Sequence, residues 1–179
     1  MGKVKLPEQV KLFASLIFHD DVDLDAVFES LTGLAGTIEE KSGPALFTHT
    51  TYYDAEMGKG LKRCFILFEP VFDRDILPDI KLATNGIEEE YAVDGRRKVN
   101  IDAGYIALEH VILATTKGYA HRPYIGKGIH ADLTLMFISG SYRALEWTYP
   151  DYAELQTIAL FNAWRGSLKR GLKEARHGL

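Results

Sequence analysis

The segment from Val10 to Phe18, VKLFASLIF, restricts the fold more than any other part of the chain. Leu12, Ala14, Leu16 and Phe18 alternate with Phe13, Ser15 and Ile17, so both sets of side chains are almost wholly apolar. Successive strand residues point to opposite faces of a sheet, and a strand that is apolar on both needs a covering layer on each side. The segment follows a basic start, as a secretory signal would. It is nevertheless short, contains Lys11 and Ser15, lacks a small-residue cleavage site and stops at His19-Asp20-Asp21. A first core strand fits it better.

The next segments supply the partners. Asp23 or Asp25 can cap a helix through Leu34, with Leu24, Val27, Phe28 and Leu31 at helical spacing and Gly33 or Gly36 to end it. Thr37 to Lys41 reads as a strand and Ser42-Gly43-Pro44 as a turn. Ala45 to Tyr53 reads as extended chain, and Lys62 to Phe68 as another strand. Asp73 to Tyr91 has the helical period, with Asp75 as cap, Pro78 confined to the first turn and Gly86 as a soft spot. Asp94-Gly95 then turns into a strand from Arg97 to Ile101. Strand, helix, strand, strand, helix, strand is the order of the ferredoxin-like βαββαβ fold. The expected class is therefore α+β in one domain over residues 1–179, with this core at about 10–101. An added helix, a β-hairpin and a C-terminal helix follow in 102–179. The added helix is placed at Tyr105 to Lys117, although its β-branched residues also permit a strand. The final helix spans Asp151 to Arg176, with Leu160, Trp164, Leu168 and Leu172 on one stripe.

The hairpin joins Tyr119–Ile125 to Ile129–Ile138 through Gly126-Lys127-Gly128. A three-residue loop sets Tyr124 opposite His130 and Arg122 opposite Asp132. Ile129, Ala131, Leu133, Leu135 and Phe137 then face the core. Arg122, Tyr124, His130, Asp132 and Thr134 face outward, and His121 points inward. The patch has two readings. In one, Arg122 and Lys117 receive an anion while a histidine serves as acid, base or donor. In the other, Arg122 and Asp132 form an ordinary cross-strand ion pair. A metal on His130 and Asp132, with Glu146 or His121 as third ligand, is the weaker possibility because such pairs occur by chance and His121 points away. Tyr52, Tyr53 and Glu56 lie on an aromatic loop, where binding residues gather, and Glu88 to Glu90 with Arg96, Arg97 and Lys98 read as surface charges that neutralise one another.

Composition narrows the partners. The net charge of −4 argues against a dedicated duplex-DNA binder. Cys64 is the single cysteine, so no intramolecular disulfide can form and a cytosolic setting is expected. No apolar run approaches the ~18 residues needed to span a bilayer, so membrane attachment is not expected. Phe65-Ile66-Leu67-Phe68 fits the aromatic end of an RNA-recognition signature, but Leu61-Lys62-Arg63-Cys64 lacks its basic-Gly-aromatic-small start. The rings read as core. The basic residues Arg165, Lys169, Arg170, Lys173 and Arg176, set against Glu174, suit either an anionic partner or docking on the protein's own surface.

Several motifs occur together: Tyr52-Tyr53 with Glu56-Met57-Gly58, Leu61-Lys62-Arg63, Ile80 to Asn85, Arg96 to Asn100, ATTKGYAHRPYIGKGIHADLTL from Ala114 to Leu135, and Trp147 to Tyr152. In these the chain resembles the uncharacterised prokaryotic family catalogued as domain of unknown function 4416, over roughly Lys11 to Tyr152. The resemblance implies a cytosolic single-domain protein and brings no activity, cofactor or catalytic residue with it. The family often has Tyr where this chain has His130 and an aromatic where it has His49, which counts against both as essential groups.

The expected function is binding of a small anionic ligand, a nucleotide or phosphorylated metabolite. Lys117, Arg122, Tyr53, Tyr124 and Asn100 are the binding candidates. Should acid/base chemistry accompany it, His121, Glu56 and Asp132 are the catalytic candidates. No metal is expected, and the residues name no cofactor. The alternatives are an RNA-binding or protein-interaction module using the sheet face and basic helix, and a structural subunit using the aromatics near Glu146 to Tyr152.

Overall fold

The computed structural model describes residues 2–177. The chain runs β1 (Val10–Phe18), α1 (Leu24–Ala35), β2 (Ile38–Lys41), β3 (Ala45–Leu46), α2 (Asp54–Met57) and β4 (Lys62–Phe72). A tight helical turn (Arg74–Ile76) leads into α3 (Leu77–Glu90), β5 (Val99–Ile106), β6 (His110–Thr115), β7 (Tyr124–Gly126), β8 (Ile129–Ile138), β9 (Ser141–Ala144) and α4 (Leu155–His177). The fold is mixed α/β: the described residues form four helices and a nine-stranded antiparallel sheet in the order β2-β4-β1-β5-β6-β8-β7, with β3 on β4 and β9 on β8.

Every residue of β1 is buried, which the two-sided apolar pattern requires. On one face Leu12, Leu16, Ile66 and Ile101 pack with Val27 and Leu31 of α1 and Ile80 and Ile87 of α3. On the other, Phe13, Phe65, Leu67 and Val111 pack with Phe161, Trp164 and Leu168 of α4. Asp23 caps α1 by accepting a hydrogen bond from the Ala26 N–H at 3.2 Å. Gly36 ends it at φ 82°, where an added Cβ would lie 2.8 Å from Pro70 Cγ. Arg165 of the basic helix donates to the Leu108 carbonyl at 2.8 Å and covers the Phe137 ring at 3.4 Å, so part of that charge docks on the protein itself. Among the described residues, no helix is long and apolar enough to cross a membrane.

Several expectations are corrected. The helix expected over Tyr105 to Lys117 is instead the end of β5, a turn and β6, because Val111, Ile112 and Leu113 are buried between β5 and β8, where β-branched residues pack well. Asp75 makes no side-chain cap, although Pro78 does sit in the first turn of α3. A bulge at Thr134, between the pairs Ile112–Leu133 and Val111–Leu135, switches β8 from one face to the other. Ile129, Ala131 and Leu133 therefore pack toward Leu77 of α3, while Leu135 and Phe137 pack on the α4 side. Finally, Asp132 and Thr134, expected to face outward, are only 3% and 0% exposed. The 145–152 segment lies over them, with Trp147 Nε1 donating to the Leu133 carbonyl at 2.7 Å and Thr148 Oγ1 to that of Thr134 at 2.6 Å. The Tyr124–His130 pair is as expected, but the three-residue loop is not: the register shifts after Tyr124 so that Gly126 pairs with Ile129, leaving Lys127 and Gly128 as the loop.

Candidate functional site

The site originates in a parting of two strands. β5 and β6 pair only from Gly104–Leu113 to Ile106–Val111. Continued, that register would bring Asp102 opposite Thr115, but there the strands have separated. The exposed edge of β5 is satisfied by side chains instead: the Ile101 N–H donates to Glu88 Oε1 at 2.6 Å and Lys81 Nζ donates to the Ile101 carbonyl at 2.9 Å. Both side chains come from α3, on the far face of the sheet.

Above this gap lies a cavity of about 620 Å³. Arg63, Asn100, Asp102, Thr115 and Asp132 from four strands line it, and the 47–53 loop and the 149–152 segment cover it. Arg63 is buried and ion-paired with Asp151; its Nε donates to Ser15 Oγ at 2.8 Å, and its guanidinium lies 4.3 Å from the Phe65 ring and 4.5 Å from that of Tyr152. At the rim, His49 Nε2 is 2.8 Å from Glu154 Oε1. Arg97 forms a hub. It donates through Nε and Nη2 to the two Glu56 oxygens, each at 2.8 Å, and through Nη1 to Asn100 Oδ1 at 2.7 Å and Glu88 Oε2 at 3.2 Å. Asn100 Nδ2 in turn donates to Asp102 Oδ2 at 3.0 Å.

The hydrogen bonds from Arg97 hold the Glu56 carboxyl below its ordinary range, whereas burial pushes Glu88 up despite Lys81 and Arg97 beside it. Burial, reinforced by the charge of Asp102, also raises the Tyr53 phenol, which stays protonated at neutral pH. A carboxyl whose pKa is lower in the folded chain contributes stability above its unfolded pKa and loses it as pH falls through the folded one. Glu56→Gln is therefore expected to flatten the acid limb of stability. Urea midpoints from pH 7 down to 3 should fall less in the variant than in wild type, and parallel curves would contradict this.

In a comparison with known families, a family model, Domain of unknown function (DUF4416), matches residues 8–167. The chain belongs to this family. The matched span contains every residue that lines the cavity. Neither curated proteins nor solved structures give a match.

In this DUF4416 chain, Tyr53, Asn100, Lys117 and Asp132 line the cavity, whereas Glu56 stands behind Arg97. Arg122 lies beside the cavity with its donors engaged: Nε on Asp132 Oδ2 at 2.8 Å, Nη2 on Tyr149 Oη at 2.9 Å and Nη1 on the Lys117 carbonyl at 3.3 Å. The expected Arg122–Asp132 pair is thus present. Tyr124 is at the hairpin tip, edge-on to His130 and accepting from the Gly128 N–H. His121, expected to point into the core, stacks instead on Trp147 at 4.8 Å with its Nε2 buried and 3.8 Å from Asp132. The reason is local: β7 begins only at Tyr124, and residues 119–122 form their own turn, so strand alternation does not reach position 121. Among the described residues, no group of three or more His, Cys, Asp or Glu side chains converges to hold a metal.

Arg63, Lys81, Glu88, Asp102 and Asp151 were not anticipated. Glu88, read as a surface charge, is 6% exposed. For Arg63 a signal existed: it alternates with the inward Phe65 on a strand that reads clearly from the sequence, and a cation at such a position needs a buried partner.

Proposed function

We propose that the cavity binds a small anionic ligand, a nucleotide or phosphorylated metabolite, with its anion on Lys117. One observation carries this reading. The lining cations Arg63 and Arg97 are neutralised by Asp151 and by Glu56 with Glu88, Lys81 faces Glu88 at 3.9 Å, and only Lys117 has no carboxylate partner among the described residues. Its Nζ donates to Tyr52 Oη at 3.2 Å and lies 4.9 Å from that ring, a contact that an anion can share. The volume suits a ligand of this size, since small-molecule sites run from about 300 to 1,000 Å³. Acid/base chemistry would involve Asp132 at the wall, with His121 behind it. The strand order β2-β4-β1-β5, all antiparallel, supports a ferredoxin-like core for the first half of the chain, and a cytosolic setting fits its single, buried cysteine.

The test is the thermal midpoint of wild type and Lys117→Met with inorganic phosphate, nucleotides and sugar phosphates. A ligand at ~100 times its dissociation constant adds ~2.7 kcal/mol, which is several degrees here. The expected result is a selective shift in wild type that Lys117→Met largely loses. Absence of any shift, or one that survives the substitution, overturns the reading. The RNA alternative draws less support, because Phe65 is packed beneath Tyr152 and Phe161 rather than presented on an open sheet. Oligonucleotide binding that weakens log-linearly with salt would favour it.

A further inference from the structure

We infer that the ligand of this cavity carries an amino group as well as its anion, and that Asp102 receives the amino group. The inference rests on the anion reading at Lys117 and extends it to the other end of the molecule. The carboxylates of the cavity are not equivalent. Asp151 faces Arg63, Glu88 faces Arg97 and Lys81, and Asp132 faces Arg122. Glu89 lines the α3 side and is exposed. Asp102, part-buried on the floor, forms no ion pair among the described residues; its one protein donor there is the Asn100 amide, on Oδ2.

The surroundings of Asn100 make this arrangement directional. Its Oδ1 accepts from Arg97, so its Nδ2 must be the end that meets Asp102, and the amide cannot flip without setting two donors against each other. Arg97 is itself clamped by both oxygens of Glu56 and by Glu88. This relay holds one oxygen of Asp102 on the protein and leaves Oδ1 without a protein donor. A half-satisfied carboxylate in a cavity is a receptor for an N–H donor, and more so for an ammonium. Glu56, Arg97 and Asn100 are then positioning residues.

The two unmatched charges lie on opposite sides of the same gap. Asp102 is on β5, Thr115 would face it on β6 if pairing continued, and Lys117 follows two residues later. A molecule lying across the parted strands with an amine at one end and a phosphate or carboxylate at the other complements both. The Tyr53 ring on the cavity wall offers a flat surface for its body.

The experiment uses matched pairs that differ by one amino group, titrated calorimetrically into wild type, Asp102→Asn and Lys117→Met: adenosine monophosphate against purine riboside monophosphate, and glucosamine phosphate against glucose phosphate, with inorganic phosphate as reference. The amino member of at least one pair is expected to bind wild type roughly 10- to 100-fold more tightly than its partner. Asp102→Asn should erase that difference, while Lys117→Met weakens both members alike. Equal binding within both pairs, or a difference that persists in Asp102→Asn, overturns this inference and leaves the anion reading standing. If no anion binds wild type, both fail. Should Asp102→Asn not fold, the comparison within wild type still decides.

Discussion

Arg63→Met is expected to lower the free energy of unfolding by about 3–5 kcal/mol, the usual cost of leaving one member of a buried ion pair alone. Both partners are deep: the side chains of Arg63 and Asp151 are 7% and 10% exposed. Met restores most of the apolar volume between Phe65 and Tyr152, so the loss would come from the stranded Asp151 carboxylate and not from a void. Adding Asp151→Asn removes that charge and should recover part of the stability. The double variant therefore separates charge from packing. Urea denaturation of the three proteins measures it, and a loss below 1 kcal/mol in Arg63→Met would show that Asp151 turns to solvent at little cost. The 149–152 segment should also loosen, which faster hydrogen exchange at the Tyr152 amide, bonded to the Tyr149 carbonyl at 2.9 Å, would report.

Gly104→Ala is expected to cost about 3 kcal/mol, the upper end for overpacking, because the atoms in the way include backbone. An added Cβ would lie 2.4 Å from the Ile112 carbonyl oxygen and 2.7 Å from two carbons of the Phe13 ring. Phe13 cannot easily move, since its ring meets Phe161 of α4 edge-on at 5.0 Å. Gly104 also forms the last β5–β6 pair before the strands part, so the substitution should widen the gap that forms the cavity floor. Phe13→Leu in the same chain should rescue it only in part, relieving the ring but not the carbonyl. Thermal midpoints of the single and double variants test this. A Gly104→Ala protein as stable as wild type would mean that β5 and β6 can slide apart freely.

These two residues also show how far the chain could be read without its structure. The strand expected from Arg97 stops at Ile101, so Asp102-Ala103-Gly104 falls outside it. It is a strand because it pairs with Phe13 to Ser15 of β1, far away in sequence, and position 104 takes Gly because the Phe13 ring occupies the space of a side chain. Arg63 stood in plain alternation with Phe65, yet nothing nearby names Asp151 as its partner. Of the binding residues expected, Tyr53, Asn100 and Lys117 line the cavity, whereas Arg122 lies beside it and Tyr124 is remote; of the catalytic candidates, Asp132 lines it, while Glu56 stands behind Arg97 and His121 faces Trp147. Asp102 was missed for the same reason as Gly104.

Alternation and helical spacing are properties of a single segment, since each residue's direction follows from backbone geometry alone. The central β1, the two helices on one face of the sheet, the Tyr124–His130 register and the apolar stripe of α4 could therefore be read from residue order. The cavity could not. It exists because Glu88 and Lys81 take the backbone groups of Ile101 that β6 would otherwise pair, and because a bulge at Thr134 turns β8 over while the 145–152 segment covers Asp132. Each is a competition between groups many residues apart for the same hydrogen bond or the same space, and no local pattern records which competitor wins.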